Sequence, residues 1–249
     1  KDLQKVGSNI SRSFWNGKKV FLTGHTGFKG SWLSVWLCNL GAEIYGYSLA
    51  PLSPKSMYEL CQIESILHNS DLSDIRDRNS LIKAVTRFKP DIVIHMAAQS
   101  LVRNSYIDPV GTYETNVMGT LSLLEAVSSV DSVKAHVVVT TDKIYRNINQ
   151  VSGYVESDPL GGHDPYSSSK AMADLLTQSW ISSFPGAPTT IVRAGNVIGG
   201  GDVSKDRLMP DLISAYMNNK VPTLRYPHSV RPWQHVLDCL NGYLMVSES

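Results

Sequence analysis

Tyr166 and Lys170 stand four residues apart in this sequence of 249 residues. On a helix, that spacing puts both side chains on the same face. An ammonium beside a phenol stabilises the phenolate, so a tyrosine with an ordinary pKa of about 10 becomes a better proton acceptor. Tyr216 and Lys220 have the same spacing, but no strand that ends in hydroxyl residues precedes them. We therefore take the first pair as the candidate catalytic pair.

Three glycines, Gly24, Gly27 and Gly30, are spaced three residues apart just after the apolar residues 20–22. Residues 20–22 are typical of a buried strand, and apolar residues at helical spacing follow the glycines: Phe28, Trp32, Leu33, Trp36 and Leu37. Glycines at such a turn allow a sharp bend, let a phosphate approach bare backbone, and let the helix pack closely. An anion there would meet free N–H groups and the positive end of the helix dipole. The stretch is either a dinucleotide phosphate site or a plain strand–turn–helix joint.

Strand and helix patterns alternate six times along the chain. Beyond the first strand, we predict strands at 43–47, near 71, at 91–96, at 137–145 and at 189–193, and helices at 80–88, at 108–127, from 166 and at 234–246. The alternation predicts an α/β fold with a parallel, doubly wound sheet of the Rossmann type. Such sheets bind ligands at the carboxyl ends of their strands, where Thr141, Asp142 and Lys143 form a polar cluster.

Composition excludes several classes of protein. The 23 basic and 22 acidic residues give a formal net charge of +1, so we expect neither a nucleic-acid nor a membrane partner. The three cysteines, Cys38, Cys61 and Cys239, lack metal-ligand spacing, and we expect reduced core residues of a cytoplasmic protein and no metal. The polar residues 1–13 are expected to be a loose leader without a signal peptide, and no run predicts a membrane span.

The end of the second predicted strand bears on the choice of cofactor. An acidic residue often stands there and binds the adenosine ribose, but this chain has residues 48–51, Ser-Leu-Ala-Pro. The position therefore does not decide between NAD and NADP. Since no basic cluster is present for a 2′-phosphate, NAD is favoured.

Five runs together resemble the extended short-chain dehydrogenase/reductase family, and within it the nucleotide-sugar 4,6-dehydratases. The runs are residues 24–33, 141–143, 159–170, 193–202 and 231–236. The resemblance extends from about Trp15 to the end of the chain. Lys143 stands where the related dehydratases that act on dTDP-glucose and GDP-mannose carry glutamate.

The resemblance implies a three-step cycle on one NAD: oxidation at the sugar C4, loss of water across C5 and C6, and return of the hydride to C6. Tyr166, aided by Thr141 and Lys170, would take the proton from the 4-hydroxyl. Lys143 would be the base for the C5 proton, and Asp142 the acid for the departing 6-hydroxyl. A lysine can act as a base only if its pKa falls, which requires burial or a nearby cation.

The resemblance also implies the binding residues. Those expected to hold NAD are Thr23, Gly24, Thr26, Gly27, Phe28, Lys29 and Gly30 at the pyrophosphate, Asp74 and Ile75 at the adenine, and Ala97, Ala98, Gln99, Tyr166 and Lys170 at the nicotinamide half. Those expected to hold the nucleotide sugar are Gln99, Arg103, Asn196 and Arg231. Guanidinium groups suit a diphosphate, although Arg103 and Arg231 could each form only a surface salt bridge.

Dehydratases of this kind are longer than this chain, and a carboxyl-terminal lobe of theirs closes over the nucleotide. We therefore expect an NAD-binding domain at residues 14–194 and the beginning of a smaller, truncated substrate lobe at residues 195–249. Within that lobe, residues 234–246 could pack back on the first domain.

Two other functions remain open at this stage. One is a nucleotide-sugar 4-epimerase, which needs no acid and base beyond the tyrosine, and the other is a non-catalytic NAD-binding protein without most of its substrate lobe. The helices that follow the fourth and fifth strands carry more apolar residues than one sheet face needs. Relatives pair through such helices, so we expect a homodimer or a homotetramer.

Overall fold

The computed structural model describes residues 10–224 and 226–249. The strands are β1 (Lys19–Thr23), β2 (Glu43–Ser48), β3 (Asn69–Leu72), β4 (Ile92–His95), β5 (Ala135–Thr141), β6 (Thr189–Ala194), β7 (Asn196–Ile198) and β8 (Trp233–His235). The first six form one sheet in the order β3-β2-β1-β4-β5-β6, and every neighbouring pair is parallel. From β1 the strands are added toward one edge of the sheet as far as β3, and from β4 they are added toward the opposite edge. The predicted doubly wound sheet is therefore confirmed. Strands β7 and β8 form a separate parallel pair.

Helices connect the strands. They are α1 (Arg12–Trp15), α2 (Phe28–Leu40), α3 (Met57–Leu60), α4 (Arg78–Phe88), α5 (Val102–Ile107), α6 (Pro109–Tyr113), α7 (Gly119–Ser128), α8 (Pro165–Ser183), α9 (Leu208–Met217) and α10 (Val236–Glu248). Short 3₁₀ helices lie at Ile63–Ile66 and Asp142–Ile144. Helix α2 is followed by Gly41 at its C-cap, whose φ of +89° is the left-handed conformation that glycine adopts without strain.

Two apolar clusters cover the sheet. The first joins β1, β4 and β5 to α2 and α10, and its fully buried members include Leu22, Leu33, Leu37, Leu240 and Leu244. The second joins the sheet to α4 and α7, and it includes Phe21, Leu81, Val85, Val93 and Leu123. Burying one such side chain contributes about 1.5–3 kcal/mol. Helix α10, far along the chain, is therefore part of the same core as β1.

The helix predicted at 108–127 is interrupted. Between α6 and α7 the chain forms a π-helical turn, Glu114–Met118, which turns Asn116 into the interior. In the sequence, apolar residues recur at helical spacing from Val110 to Val127 and predict one buried face. This prediction is wrong in its first half, because Val110 is exposed whereas Thr112 and Asn116 are buried. A wider π turn rotates the face that the helix buries, and such turns occur frequently at functional sites.

Other predicted boundaries shift for local reasons. Helix α4 begins before Ser80, because the Asp77 carboxylate caps it by accepting the Ser80 N–H at 3.1 Å. The predicted fifth strand stops at Thr141, where the 3₁₀ turn begins. The helix predicted at 234–246 starts at Val236, since residues 233–235 pair with β7. Cys61 is exposed rather than in the core, because it follows the last residue of α3.

The predicted leader lies partly outside the described residues, which begin at Ile10. Its last part is ordered: Ser11 caps α1, and its backbone N–H donates to Glu248 at 2.9 Å. The buried Trp15 donates its indole N–H to the same carboxylate at 2.6 Å. Residues 10–13 therefore belong to the fold. Among the described residues, none of the helices has both the length and the apolar character to cross a bilayer.

Candidate active site

The glycine turn between β1 and α2 is packed too tightly for other residues. Gly24 has a φ of +79°, and a Cβ there would lie 2.8 Å from the backbone nitrogen of Ala97. A Cβ on Gly30 would lie 2.1 Å from the carbonyl oxygen of Gly24. Gly27 is the N-cap of α2 and makes no side-chain cap, so no capping side chain covers the first N–H groups of this helix. The turn is therefore open to an anion.

A buried hydrogen-bond chain joins this turn to the end of β4. Thr23 Oγ1 accepts the backbone N–H groups of Met96 and Ala97, both at 3.1 Å, and lies 2.8 Å from His95 Nδ1. His95 Nε2 lies 2.9 Å from Thr120 Oγ1. Burial lowers the pKa of His95 well below its ordinary value, so this ring is neutral. The network fixes the distance between the glycine turn and the Ala97–Ala98 segment.

The remaining side chains of the turn contact the protein itself. Thr26 Oγ1 donates to a carbonyl just after β2 at 2.8 Å. The His25 ring lies against Gly46, where a Cβ would be 2.5 Å from His25 Cγ. Phe28 packs against Gly199, where a Cβ would be 3.1 Å from the Phe28 ring. What the turn presents to a phosphate is thus mainly backbone.

Tyr166 lies in the first turn of α8, which Asp164 caps by accepting the backbone N–H of Ser167 at 2.9 Å. Its side chain is buried. Burial raises the pKa of Tyr166, while a hydrogen bond with Thr141 opposes this. A nearby cation is needed before this phenol can accept a proton near neutral pH.

Lys170 lies one helical turn further along, as the sequence spacing predicts. Its buried ammonium donates to the carbonyl oxygen of Val139, near the end of β5, at 2.8 Å. Burial lowers the pKa of Lys170 to about 7; the charge of Lys29 adds to this, and that of Asp174 opposes it. The ammonium is thus held at the strand end from which Thr141 and Asp142 follow.

The polar cluster after β5 comes together with Tyr166. Thr141 Oγ1 donates to Asp142 Oδ1 at 3.1 Å, and the ammonium of Lys143 lies 5.8 Å from the centre of the Tyr166 ring. Burial lowers the pKa of Lys143, and the two nearest carboxylates, Asp142 and Asp164, oppose this. A hydroxyl, a carboxylate, an amine and a phenol therefore meet at one strand end, a set of groups that can move protons in both directions.

The residues predicted at the adenine are engaged within the protein. The Asp74 carboxylate accepts a hydrogen bond from the guanidinium of Arg76 at 2.6 Å, and this interaction lowers the pKa of Asp74. Ile75 is buried, and a Cβ on Gly119 would lie 2.7 Å from its side chain. A ligand could therefore meet the backbone here, or the outer face of this ion pair.

Gln99 is also fully hydrogen-bonded. Its side-chain nitrogen donates to the carbonyl of Leu101 at 3.1 Å and to Thr112 Oγ1 at 3.0 Å. Asn116, in the π turn, accepts the backbone N–H of Gln99 at 2.9 Å and donates to the carbonyl oxygen of Gln99 at 3.0 Å. It also donates to Ser169 Oγ at 2.9 Å. Asn116 thus ties the segment after β4 to the helix that carries Tyr166 and Lys170, a role that the sequence left open.

The predicted substrate residues lie on the exposed side of the site. Arg103 forms an ion pair with Asp206 at 2.8 Å, and 62% of the Arg103 side chain is exposed. Arg231 is exposed and donates to the carbonyl of its neighbour Val230 at 2.9 Å. Asn196 begins β7 and is paired through β8 with the segment that follows Arg231. Of these residues, Arg231 lies close enough to Lys143 to lower its pKa.

The sequence patterns do not predict two features of the site, the position of Arg207 and the contact between Lys29 and Tyr243. Arg207 donates to Ser100 Oγ at 3.0 Å, and its charge lowers the pKa values of both Lys143 and Tyr166. Its position just before α9, after the glycine-rich residues 199–201, is the signal that was available. The Lys29 ammonium donates to the Tyr243 hydroxyl at 3.1 Å, a contact across 214 residues that only the folded chain brings together.

The chain resembles known proteins over most of its length. Residues 20–249 match the NAD dependent epimerase/dehydratase family. The chain is 49% identical over 247 residues to CDP-glucose 4,6-dehydratase from Salmonella typhimurium, covering 96% of this chain and 68% of that protein. It is 31% identical to dTDP-D-glucose 4,6-dehydratase from Dictyostelium discoideum, covering 83% of this chain and 50% of that protein.

A solved structure shares the fold as well. DesIV, a dTDP-glucose 4,6-dehydratase from Streptomyces venezuelae with NAD and TYD bound, superposes with a TM-score of 0.81 at 27% identity, covering 92% of this chain and 71% of that one. The chain thus spans between half and about two thirds of the two curated dehydratases above. By sequence and by fold, it belongs to the NAD dependent epimerase/dehydratase family.

Proposed function

We propose that this protein is an NAD-dependent CDP-glucose 4,6-dehydratase, a hydro-lyase that converts CDP-D-glucose to CDP-4-dehydro-6-deoxy-D-glucose. The observation that carries the proposal is the placement of Lys143 against the Tyr166 ring, with Asp142 next to it on the same 3₁₀ turn. An epimerase needs the tyrosine alone, whereas elimination of water needs a further base and a further acid. The 49% identity to the Salmonella enzyme of that name supports the same substrate.

The residues present fit a dinucleotide. The glycine turn is a cradle that a Cβ at Gly24 or Gly30 would fill, and its helix N-terminus is uncapped by a side chain. The residues that would hold NAD are residues 23–30 except His25, together with Asp74, Ile75, Ala97, Ala98, Gln99, Tyr166 and Lys170. When bound, NAD supplies the acceptor for a hydride from the sugar C4 and the donor that returns it to C6.

In the first step, Tyr166 takes the proton of the sugar 4-hydroxyl. The phenol needs help, because burial raises its pKa. The hydrogen bond with Thr141 and the charge of Arg207 both lower this pKa. The ammonium of Lys170, held by the carbonyl of Val139 one helical turn along α8, would add to the stabilisation of the phenolate.

In the second step, the new ketone at C4 makes the C5 proton acidic. Lys143 takes this proton as the neutral amine, a form that its lowered pKa favours. Asp142 gives a proton to the departing 6-hydroxyl, and Thr141 orients this carboxyl through their hydrogen bond of 3.1 Å. The two roles lie on adjacent residues of one 3₁₀ turn, so acid and base act on the same sugar edge.

The nucleotide sugar would be bound by Gln99, Arg103, Asn196 and Arg231, and the position of Arg207 adds a third guanidinium. Arg103 forms an exposed ion pair with Asp206, and Arg207 forms a partly buried one with Asp202. A diphosphate can replace the exposed partner of Arg103 at little cost, since exposed ion pairs contribute only about 0–1 kcal/mol. The free thiols of the three cysteines support a reducing, cytoplasmic location.

The protein would act as a homodimer or homotetramer. Val110, Tyr113, Val117, Met118 and Met172, on α6, the π turn and α8, line an apolar hollow on the surface. The exposed apolar side chains in this group are among the apolar residues that these two helices carry beyond what one face of the sheet needs. A second copy of the chain that packs the same helices would cover it.

One experiment tests the function directly. The protein is incubated with NAD and, separately, with the CDP, dTDP, UDP and GDP derivatives of glucose. Dehydrated products are identified by mass, and epimers, which have the mass of the substrate, by chromatography against CDP-galactose. We expect a product one water lighter than the substrate, from CDP-glucose alone. CDP-galactose without any dehydrated sugar would instead establish the epimerase. Thermal stabilisation by NAD with no product from any sugar would indicate a non-catalytic NAD-binding protein.

A further inference from the structure

Lys29 forms no ion pair with a carboxylate in the part of the chain that the structure describes. Its ammonium donates to the hydroxyl of Tyr243 at 3.1 Å and lies 5.4 Å from the centre of that ring. Tyr243 is buried in α10, and burial raises the pKa of this phenol well above its ordinary value, so it is neutral. A neutral phenol orients the ammonium without cancelling its charge.

This charge lies beside the candidate catalytic pair. Tyr243 and Val139 belong to the same buried cluster, and the carbonyl of Val139 holds the ammonium of Lys170 at 2.8 Å. Two lysines from different helices, α2 and α8, thus approach the end of β5. The charge of Lys29 acts on Lys170 strongly enough to contribute to the lowered pKa of that lysine.

Two other cations near the site have carboxylates that oppose their charge. Arg207 faces Asp202 at 3.5 Å. The charge of Asp174 opposes that of Lys170. Burial lowers the pKa of Lys29; the charge of Arg207 adds to this, and Cys239 opposes it. Lys29 therefore contributes positive potential to this part of the crevice without a carboxylate partner among the described residues.

A nicotinamide ring carries a positive charge when it is oxidised and none when it is reduced. The inference rests on the proposed function, in which Tyr166 and Lys170 work beside that ring. We propose that Lys29, oriented by Tyr243, makes the site bind NADH more tightly relative to NAD⁺ and so promotes removal of hydride from the sugar C4. Lys29 acts here through its charge and serves as a positioning residue rather than an acid or a base.

The test is the ratio of two dissociation constants, measured by titration calorimetry without any sugar. Lys29→Met removes the charge and keeps an unbranched chain of similar length. We expect the Kd for NAD⁺ to fall about tenfold relative to the Kd for NADH, because two like charges in a partly buried site repel. For a two-electron couple, a tenfold change corresponds to about 30 mV in the potential of the bound cofactor.

Two further variants make the result specific. Lys29→Arg keeps the charge and is expected to keep the wild-type ratio, so the same shift in both variants would overturn the proposal. Lys83→Met removes an exposed lysine on α4 and is expected to change nothing. An unchanged ratio in Lys29→Met, with NAD⁺ still bound, would also overturn it and would leave the proposed dehydratase intact. If the wild-type protein bound neither form, the proposed function itself would fail.

Discussion

Two arginine–carboxylate pairs on opposite sides of the site have almost the same length and very different surroundings. On the inner side, Arg193 binds Asp174 with two hydrogen bonds of 2.9 Å, and the Asp174 side chain is fully buried. On the outer side, Arg103 meets Asp206 at 2.8 Å, with side chains that are 62% and 39% exposed. A buried pair is costly to break, whereas an exposed pair is solvated in any case.

The difference separates two tasks. Asp174 lies on the helix of Tyr166 and Lys170, and Arg193 lies on β6. Thr140, near the end of β5, donates to Asp174 at 3.0 Å. This inner side holds the proton-transfer groups in one geometry. On the outer side, the arginines expected to meet the nucleotide sugar keep partners that a diphosphate can displace. Under the proposed function, the chain would combine a preorganised reaction site with a binding surface that can exchange its contacts.

The largest effect is expected on the inner side, from Tyr166→Phe. Loss of the proton acceptor should lower kcat for 4-keto-6-deoxy sugar formation by about 10²–10⁴-fold, the usual contribution of a positioned acid or base. Affinity for NAD and the melting temperature should change little. The alkali-induced absorbance of the keto sugar measures the reaction. Activity at the wild-type level would remove Tyr166 from the mechanism.

The second prediction concerns Lys143→Ala. This change should still permit oxidation at C4 but stall elimination, because the base for the C5 proton is gone. We expect dehydration to slow by about 10²-fold or more. The absorbance band of NADH, at about 340 nm, should still appear in a single turnover, because oxidation at C4 does not need Lys143. Dehydration at an unchanged rate would show that another group takes the C5 proton.

Asp174→Asn tests the inner ion pair through stability. Arg193 would keep its buried charge without a carboxylate, so the free energy of unfolding should fall by about 3–5 kcal/mol. Urea denaturation gives this value. The matched control is Asp206→Asn on the outer side, which should change the free energy of unfolding by less than about 1 kcal/mol. Equal losses in the two variants would contradict the contrast between the two sides.

Lys170 makes the stability of the protein depend on pH in a defined direction, and Lys170→Met removes this dependence. The folded protein lowers the pKa of Lys170 to about 7, so between that pH and its ordinary pKa the unfolded chain binds a proton that the folded chain does not. Stability of the wild type relative to Lys170→Met should therefore rise with pH, by up to about 1.4 kcal/mol per pH unit. Thermal or urea unfolding of both proteins at pH 7 and at pH 9 measures the change. A flat or falling difference would mean that Lys170 stays protonated in the fold.

The smallest effect on stability is expected on the outer side, from Arg103→Met. The free energy of unfolding should change by less than about 1 kcal/mol, because the pair with Asp206 is exposed. The KM for CDP-glucose should nevertheless rise, by about tenfold, if Arg103 contacts the diphosphate. An unchanged KM would leave Arg103 with its surface salt bridge alone.

The sequence predicted much of the fold because local patterns carry it. Glycine spacing predicted the turn after β1, helical spacing put Tyr166 and Lys170 on one face of α8, and alternating strands and helices predicted the parallel sheet. Some boundaries shifted for local reasons, such as the Asp77 cap of α4, and others shifted where side chains from distant segments decide them. The π turn at Asn116 is an example, since its cause is hydrogen bonding to Gln99 and Ser169.

By itself, the sequence determined the order of the sheet elements, the family and the candidate chemistry, because these depend on residues close together along the chain. Only the tertiary structure decided the electrostatics of the site. Burial raises the pKa of Tyr166 and lowers those of Lys143 and Lys170, and the packing of α10 brings Tyr243 to Lys29 across 214 residues. Desolvation and long-range contacts arise only when the chain is folded, so no pattern of neighbouring residues could show them.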